Sequence, residues 1–262
     1  MIYDCFSYWD EDLLLDLRLN ILDNYVDYFV IVEGNKTWQN NPKKLRFEID
    51  KFKKFKNKII YVPVTNLPDG EDPYLRENYQ RNAIVNGLNN ANNNDLIIIS
   101  DLDEIPDPKK INLFNPKKRY AVFKQKHFYY KFNLQSKNYP FWNGTRICVK
   151  KYLKSPQWLR NLKTKKRSFW KLFGDNQPQI IENGGWHFSF LKKPEGIKTK
   201  INSYSHQEFN SEKFTNIKNI EKKISKGVDL FERDIKYQRV NVDESFPDYI
   251  NNNKEKFKDW II

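Results

Sequence analysis

The feature that most constrains the fold is an apolar run, residues 96–99, that ends abruptly in acidic residues and a proline. One leucine and three isoleucines follow one another, which predicts a strand covered on both faces, as in a parallel sheet with helices on each side. The chain continues as Ser-Asp-Leu-Asp-Glu-Ile-Pro over residues 100–106. Because ligands bind at the carboxyl ends of strands in such sheets, we expect a functional site here.

Asp101 and Asp103 are separated by one residue, so an extended backbone directs both side chains to the same side. Two carboxylates on one side repel each other unless a cation lies between them. Oxygen ligands favour Mg²⁺ or Mn²⁺ over zinc. The alternative is a solvated acidic turn after a core strand, and the pair by itself does not separate the two.

The first hundred residues alternate between short apolar strands and helical patterns. Strands are predicted at residues 2–9, 28–32, 59–64 and 96–101, and helices at residues 10–23, 45–55 and 71–88. Asp10 is the expected N-cap of the first helix. This alternation predicts an α/β fold with a doubly wound, mostly parallel sheet. The strand ends at residues 7–9, 33–35, 65–66 and 101–103 should therefore meet along one edge.

Beyond Pro108 the pattern becomes mixed. Residues 120–130 are aromatic and β-prone, and residues 139–145 predict a turn. Helices are predicted at residues 195–203 and 212–226. The second half of the chain should therefore be mixed rather than doubly wound.

The formal charge of +13 would suit nucleic acid, an anionic membrane surface or a phosphorylated ligand as partner. The lysines are spread through nearly every segment, however, so the charge by itself indicates little. A nucleic-acid-binding module concentrates its cations on one face and does not need carboxylates at a strand edge. We therefore expect no nucleic-acid partner.

Cys5 and Cys148 are the two cysteines, and their spacing predicts neither a disulfide framework nor a zinc site. The amino terminus has no basic-then-apolar signal, and no run approaches the roughly 20 apolar residues of a membrane span. We expect a cytoplasmic protein, with peripheral contact to an anionic membrane as a further expectation.

Four stretches of the chain carry a family resemblance. They are Asp16-Leu17-Arg18-Leu19, residues 26–33, residues 99–106, and Gly184-Gly185-Trp186-His187-Phe188-Ser189. In this order they resemble glycosyltransferase family 17, whose fold is of the GT-A type. Four motifs in register are more specific than an Asp-x-Asp pair alone.

The resemblance implies an inverting transfer of a sugar from a UDP-sugar to a hydroxyl of a glycan or lipid-linked glycan. The expected donor is UDP-N-acetylglucosamine. It also implies one GT-A-like domain over residues 1–262. Within it we expect a nucleotide-binding half at 1–108, an acceptor and metal half at 109–210, and a C-terminal helical tail at 211–262. The alternative is a non-catalytic GT-A domain that binds a nucleotide or a glycan.

In such an enzyme, Mn²⁺ or Mg²⁺ would be held by Asp103 with Asp101 nearby, and the resemblance implies that His187 completes the coordination. Two glycines before the Trp-His pair are consistent with a positioned imidazole. The alternative for His187 is a hydrogen-bonded histidine in the core.

Other side chains are assigned to the donor and the acceptor. Glu33 would hydrogen-bond the uracil or ribose, or else stabilise its own loop. Arg81 would reach the nucleotide, or else pair with Glu77 four residues earlier on a helix. Trp142 and Trp186 would stack on sugar rings of the acceptor, or else pack in the core.

Inversion requires a general base that removes the proton of the acceptor hydroxyl. Asp175 precedes the Gly-Gly-Trp-His segment and Glu208 follows it, and these two are the candidate bases. Glu104 and Glu182 rank below them. The alternative for each is a solvated or structural carboxylate, and the sequence does not choose between Asp175 and Glu208.

Overall fold

The structure, a computed structural model, describes residues 1–164, 177–204 and 207–262, with the backbone alone for Gln207. Within these ranges, eleven strands form one sheet. In chain order they are β1 (Ile2–Ser7), β2 (Tyr28–Gly34), β3 (Ile59–Val64), β4 (Leu96–Asp101), β5 (Glu104–Pro106), β6 (Tyr120–Tyr129), β7 (Leu134–Ser136), β8 (Phe141–Val149), β9 (Gln179–Ile181), β10 (Gly185–Ser189) and β11 (Tyr237–Arg239).

Helices connect these strands. The α-helices are α1 (Asp12–Leu22), α2 (Pro73–Asn82), α3 (Pro156–Arg160), α4 (Pro194–Ser203), α5 (Glu212–Thr215), α6 (Ile217–Lys226) and α7 (Asp248–Asn251). Segments of 3₁₀ helix lie at Ile49–Phe55, Ala83–Leu88, Pro108–Leu113, Pro116–Lys118, Lys150–Tyr152, Gln207–Phe209 and Lys258–Trp260. In the described ranges, no helix has the length and apolar character required to traverse a bilayer.

The sheet changes character at β4. The strands β4, β1, β2 and β3 lie side by side in this order and run parallel. On its other side β4 pairs with β8 in the antiparallel sense, and the order continues through β6 and β7 to β11. β11 therefore adds a strand to the tail predicted as helical. The predicted α/β class, with a largely parallel sheet and a mixed second half, is confirmed.

The parallel strands β4, β1 and β2 are buried on both faces, whereas the edge strand β3 is partly exposed. In β2, Phe29 and Ile31 belong to one core and Val30 and Val32 to the other, and all four side chains are fully buried. Helix α1 covers the first core, and the 3₁₀ segment Ala83–Leu88 covers the second. Complete burial of an apolar side chain of this size contributes about 1.5–3 kcal/mol. Two apolar layers thus fix the strand ends from both sides.

The helix predicted at residues 45–55 is wrong in its first turn, because the helical segment begins at Ile49 and has 3₁₀ geometry. The backbone N–H groups of Arg46 and Phe47 donate to the Glu33 carboxylate at 2.8 and 3.0 Å. These bonds hold the stretch outside the helix. A carboxylate more than ten residues away thus outweighs the local helical pattern.

Two other predicted helices are divided. The helix predicted at residues 71–88 ends as an α-helix at Asn82 and continues in 3₁₀ form. The helix predicted at residues 212–226 is interrupted at Asn216, whose backbone is extended with φ −69° and ψ 120°. The Asn216 side chain accepts a hydrogen bond from the backbone N–H of Asn219 at 3.2 Å. An N-cap inside the pattern therefore separates α5 from α6.

Two local predictions are also corrected. The turn predicted at residues 139–145 is wrong because β8 begins at Phe141 and pairs there with β6. Asp10 is not the cap of α1. Glu11 occupies the N-cap position without a side-chain bond, and the Asp10 carboxylate binds Lys192 instead.

Candidate active site

The Asp-Leu-Asp sequence forms the turn between β4 and β5, and a buried arginine of α1 holds its backbone. Arg18 is fully buried and pairs with Asp4 through hydrogen bonds of 2.6 and 2.7 Å. Its Nη1 group donates to the carbonyl oxygens of Asp101, Leu102 and Glu104, at 3.1, 3.2 and 3.0 Å. A buried charge is tolerated when it is paired so completely. One side chain thus fixes the positions of both aspartates.

The Asp101 carboxylate lies between two arginines. Arg81 of α2 donates to Oδ1 at 3.0 Å, and Arg160 of α3 donates to Oδ2 at 2.8 Å. Arg160 also donates to Glu104 at 2.6 Å. Burial raises the pKa of Asp101, but Arg160 and then Arg81 lower it more, so that it lies well below its usual range. Both oxygens of Asp101 therefore have cationic partners.

Asp103 faces different neighbours. Its Oδ1 lies 3.6 Å from Nε2 of His187 on β10, and its Oδ2 lies 3.5 Å from Nζ of Lys200 on α4. The Asp103 side chain is 13% exposed. Burial raises the pKa of Asp103, but Lys200 and then His187 lower it more, to about 2. Asp103 is therefore ionised at neutral pH, and its contacts are longer than those of Asp101.

Packing orients His187. The parallel pairing of β6 with β10 sets His127 beside His187, and their parallel rings stack 4.8 Å apart. The Trp142 ring lies 5.2 Å from that of His187. The Nδ1 atom of His187 and the Nε2 atom of His127 are buried and have no hydrogen-bond partner among the described residues. Burial, and then His187, lower the pKa of His127 to about 3, so this ring is neutral at pH 7.

A cavity of about 310 Å³ lies beside Asp103, at the carboxyl ends of β1 and β4, with α2 and α4 in its walls. Its lining combines two kinds of side chain. The charged members are Glu11, Glu77, Arg81, Asp101, Asp103 and Lys200. The aromatic lining, as we call it below, consists of Tyr8, Trp9, Trp38, Tyr74 and Tyr204.

The aromatic lining is held by the backbone of the loop after β2. The N–H of Trp38 donates to the Ser203 carbonyl at 3.2 Å, and the buried Arg76 donates through Nε to the Trp38 carbonyl at 2.7 Å. Gln39 donates to the Tyr204 carbonyl at 2.8 Å. These bonds tie the loop to the end of α4. The aromatic wall of the cavity is thus preorganised.

Two of the three predicted metal ligands, Asp103 and His187, lie close together. In the ranges that the structure describes, no group of three His, Cys, Asp or Glu side chains is placed to hold a metal. The Asp103 carboxylate and His187 imidazole, 3.6 Å apart, are donors that Mn²⁺ accepts. Mg²⁺ sites commonly use one or two protein ligands and substrate phosphates. The pair fits an ion completed by phosphate oxygens and water, whereas both oxygens of Asp101 are committed to arginines.

Comparison with known proteins identifies the family, because the model of glycosyltransferase family 17 matches residues 1–258. The chain belongs to glycosyltransferase family 17. The human beta-1,4-mannosyl-glycoprotein 4-beta-N-acetylglucosaminyltransferase is 26% identical over 224 residues, which cover 75% of this chain and 42% of the human protein. The rat protein of the same name is also 26% identical, with coverage of 75% and 41%. The predicted family is confirmed, and the match spans less than half of each relative's length.

Two of the predicted binding residues of this family 17 chain lie away from the cavity. Glu33 is fully buried, and its carboxylate accepts hydrogen bonds from the 43–47 loop and from the Tyr61 hydroxyl at 3.0 Å. Trp186 is buried in the core, and its Nε1 donates to the Ser245 carbonyl at 3.0 Å. Both residues therefore occupy the structural positions that the sequence left as alternatives.

Trp142 lies at the surface beside His187. It is 42% exposed, and its Nε1 donates to the Glu104 carboxylate at 2.6 Å. Glu104 itself is buried and also binds Arg160, so it has a structural place rather than a free carboxylate. The exposed indole face of Trp142 leaves its predicted role as an acceptor platform open.

The two candidate bases stay predictions. Asp175 lies outside the described residues. Glu208 is exposed in the 3₁₀ segment after α4. It is close enough to Tyr204 to raise, after the larger effect of burial, the pKa of that phenol. Glu208 therefore lies near the cavity without being among its lining residues.

The sequence predictions missed three charged residues of the site. Arg160 belongs to a helix whose N-cap serine and first-turn proline are signals in the sequence. Lys200 follows the buried Ile197 by three residues, so helical periodicity places it on the same helix face. Glu11 lines the cavity 3.6 Å from Lys192 and 3.9 Å from Lys200. Burial raises the pKa of Glu11, but these two lysines lower it more, which makes Glu11 a weak base.

Proposed function

We propose that this family 17 chain is an inverting, metal-dependent glycosyltransferase of the GT-A type. It moves N-acetylglucosamine from UDP-N-acetylglucosamine to a hydroxyl group of a glycan. The sugar is inferred from the name of the relatives, which specifies N-acetylglucosaminyl transfer. The observation that carries the proposal is the cavity that joins Asp103 to an aromatic lining at the ends of parallel strands, with His187 behind the carboxylate.

The aromatic lining is evidence for nucleoside binding in one part of the cavity. Stacking of a base on an aromatic ring contributes about 1–3 kcal/mol. Trp38 has a fixed backbone, so less ordering is required when a base binds. Arg81 lines the cavity and holds Asp101, and through Asp101 it stabilises the turn that carries Asp103.

The charged residues of the lining are evidence for binding of a diphosphate together with a divalent ion. Asp103 and His187 would hold Mn²⁺ or Mg²⁺, which when bound supplies positive charge to the leaving diphosphate. The low pKa of Asp103, about 2, keeps its carboxylate ionised over the physiological range. Stacking on His127 holds the His187 ring with Nε2 toward Asp103.

The transfer forms a bond between the acceptor oxygen and C1 of the sugar. It breaks the bond from C1 to the diphosphate, which leaves with the electron pair as UDP. The proton of the acceptor hydroxyl passes to a general base, for which Glu208 and Asp175 are the candidates. Trp142, exposed beside His187, offers a flat apolar surface to the acceptor sugar.

The proposed acceptor is a cytoplasmic glycan or lipid-linked glycan. A lipid-linked acceptor would bring the chain to an anionic membrane surface, where each nearby cation contributes about 1 kcal/mol. The charge of +13, spread through nearly every segment, is compatible with such contact but does not by itself indicate it. Sedimentation with anionic vesicles at low and moderate salt checks this contact. Absence of salt-sensitive association would favour a soluble glycan.

A donor screen tests the proposed function. Nucleotide release is measured with UDP-N-acetylglucosamine, UDP-glucose, UDP-galactose and GDP-mannose, each with Mn²⁺ and with EDTA. We expect release from UDP-N-acetylglucosamine that stops in EDTA. Release that persists in EDTA would contradict metal dependence, and UDP binding without release under any condition would favour the non-catalytic alternative.

A further inference from the structure

Helix α4 brings one lysine into the cavity. Ile197 and Ile201 of this helix are fully buried in a third apolar core, which fixes the rotation of the helix about its axis. Lys200 lies next to Ile201 and lines the cavity together with Ser203. Its Nζ atom therefore has a defined position beside Asp103.

The two cations that line the cavity, Arg81 and Lys200, differ in the hydrogen bonds that their N–H groups already make. The Arg81 guanidinium already donates to Glu77 at 2.8 Å, to Asp101 at 3.0 Å and to Gln157. The nearest carboxylate oxygens to Lys200 Nζ are 3.5 Å away on Asp103 and 3.9 Å away on Glu11. Charge-assisted hydrogen bonds are usually about 2.7–2.9 Å long. The Nζ atom also lies 5.4 Å from the centre of the Phe190 ring. Of the two lining cations, Lys200 therefore has the longer carboxylate contacts, and its ammonium group can still donate a short hydrogen bond to a ligand in the cavity.

The charges of the lining indicate what Lys200 binds. Among the described residues that line the cavity, four carboxylates face two cations. Arg160 and Lys192, outside this lining, pair with Asp101 and Glu11. Asp103 would still repel an approaching phosphate group unless a divalent ion came with it. Asp103 has His187 at one oxygen and Lys200 at the other. A phosphate group bound beside Asp103 would thus be within reach of Lys200 Nζ, which lines the same cavity.

We propose that Lys200 binds the phosphate group from which the sugar departs, an assignment that rests on the proposed function. In the transfer, the bond between C1 and the phosphate oxygen breaks and the electron pair stays on that oxygen. Lys200 keeps its proton and stabilises this negative charge, while the hydroxyl proton goes to the general base. Donors placed where charge develops commonly change rates by 100-fold or more.

Three variants test this role. Lys200→Met removes the charge with little change in length, Lys200→Arg keeps it, and Lys198→Met removes an exposed charge from the same helix. Calorimetry with inorganic pyrophosphate and with uridine, both in Mn²⁺, separates phosphate binding from nucleoside binding. For Lys200→Met we expect pyrophosphate affinity to fall about 30-fold or more and uridine affinity to stay within twofold. Lys200→Arg should stay within about fivefold and Lys198→Met within twofold.

Turnover gives the second readout. With UDP-N-acetylglucosamine, Lys200→Met should lower kcat/KM about 100-fold, with a larger fall in kcat than rise in KM. Thermal unfolding checks that each variant is folded, and Lys200→Gln replaces Lys200→Met if that variant is not. Unchanged pyrophosphate affinity, or an equal loss of uridine affinity, would overturn the assignment. Lys200-dependent pyrophosphate binding without sugar transfer by the wild type would uphold it and reject the proposed donor.

Discussion

Asp101 and Asp103 occupy one turn, yet their surroundings differ. Asp101 has an arginine at each oxygen, at 3.0 and 2.8 Å, whereas Asp103 has an imidazole at 3.6 Å and an ammonium group at 3.5 Å. Short charge-assisted bonds fix a side chain, and longer separations leave lone pairs for a ligand. The difference teaches that two like carboxylates in one motif can have different roles: both line the cavity, but short bonds to two arginines hold Asp101, whereas the contacts of Asp103 are longer.

The largest expected effect on stability comes from replacing Arg18, which holds the backbone of the turn that carries both aspartates. Arg18→Met leaves Asp4 buried without its partner and releases the carbonyl groups of the turn. We expect the free energy of unfolding to fall by about 4 kcal/mol, measured by urea denaturation. Arg18→Lys keeps the charge opposite Asp4 and should lose less. A loss below about 1 kcal/mol for Arg18→Met would show that the turn is held by other contacts.

The second prediction concerns acid, which should lower the free energy of unfolding through His127, the ring stacked on His187 beside Asp103. The pKa of His127 is lowered from 6.5 to about 3 by burial and by His187, so between these values the unfolded chain binds more protons than the folded one. The free energy of unfolding should therefore fall by a few kcal/mol as pH decreases from about 6.5 to 3. Both aspartates stay ionised over most of this range.

The control for the acid effect is His127→Phe, which keeps an aromatic ring against His187 but cannot bind a proton. Urea denaturation at several pH values compares the two proteins. The variant should lose less stability on acidification than the wild type. Equal slopes in the two proteins would mean that acid acts through other groups.

A smaller effect is expected on the Asp101 side. Trp142→Phe keeps a ring beside His187 but removes the N–H donated to Glu104 at 2.6 Å. Because Glu104 also binds Arg160, the change should loosen the arginine network by about 1 kcal/mol in the free energy of unfolding. Affinity for UDP with Mn²⁺ should not change. A loss of UDP affinity without loss of stability would place Trp142 in donor binding instead.

Much of the fold could be predicted because its signals are local. The uninterrupted apolar run of β4 and the alternation of strands with helices predict the parallel sheet correctly. The first turn of the helix predicted at residues 45–55 could not be predicted, because the Glu33 carboxylate draws the backbone N–H groups of Arg46 and Phe47 away from a helix. Local periodicity carries no information about such a partner.

The site was predicted in part. The sequence pattern and the family resemblance led to Asp101, Asp103 and His187, and the structure brings Asp103 and His187 within 3.6 Å. The division between the two aspartates was not predicted, because it depends on distant partners. Arg18 is 83 residues from Asp101, and Arg160 is 59 residues from it. The sequence spacing identifies the two aspartates, but it does not identify the distant cations that give them different surroundings.

The central claim is that Asp103 faces the ligand while Asp101 holds the turn. Calorimetry of UDP binding in Mn²⁺ on Asp103→Asn and Asp101→Asn tests it most directly. We expect Asp103→Asn to lose about 100-fold or more in UDP affinity with little change in stability. Asp101→Asn should stay within about tenfold in affinity and lose about 2 kcal/mol of stability, because two arginines lose a charged partner. Equal losses of UDP affinity, or a greater loss for Asp101→Asn, would contradict the account.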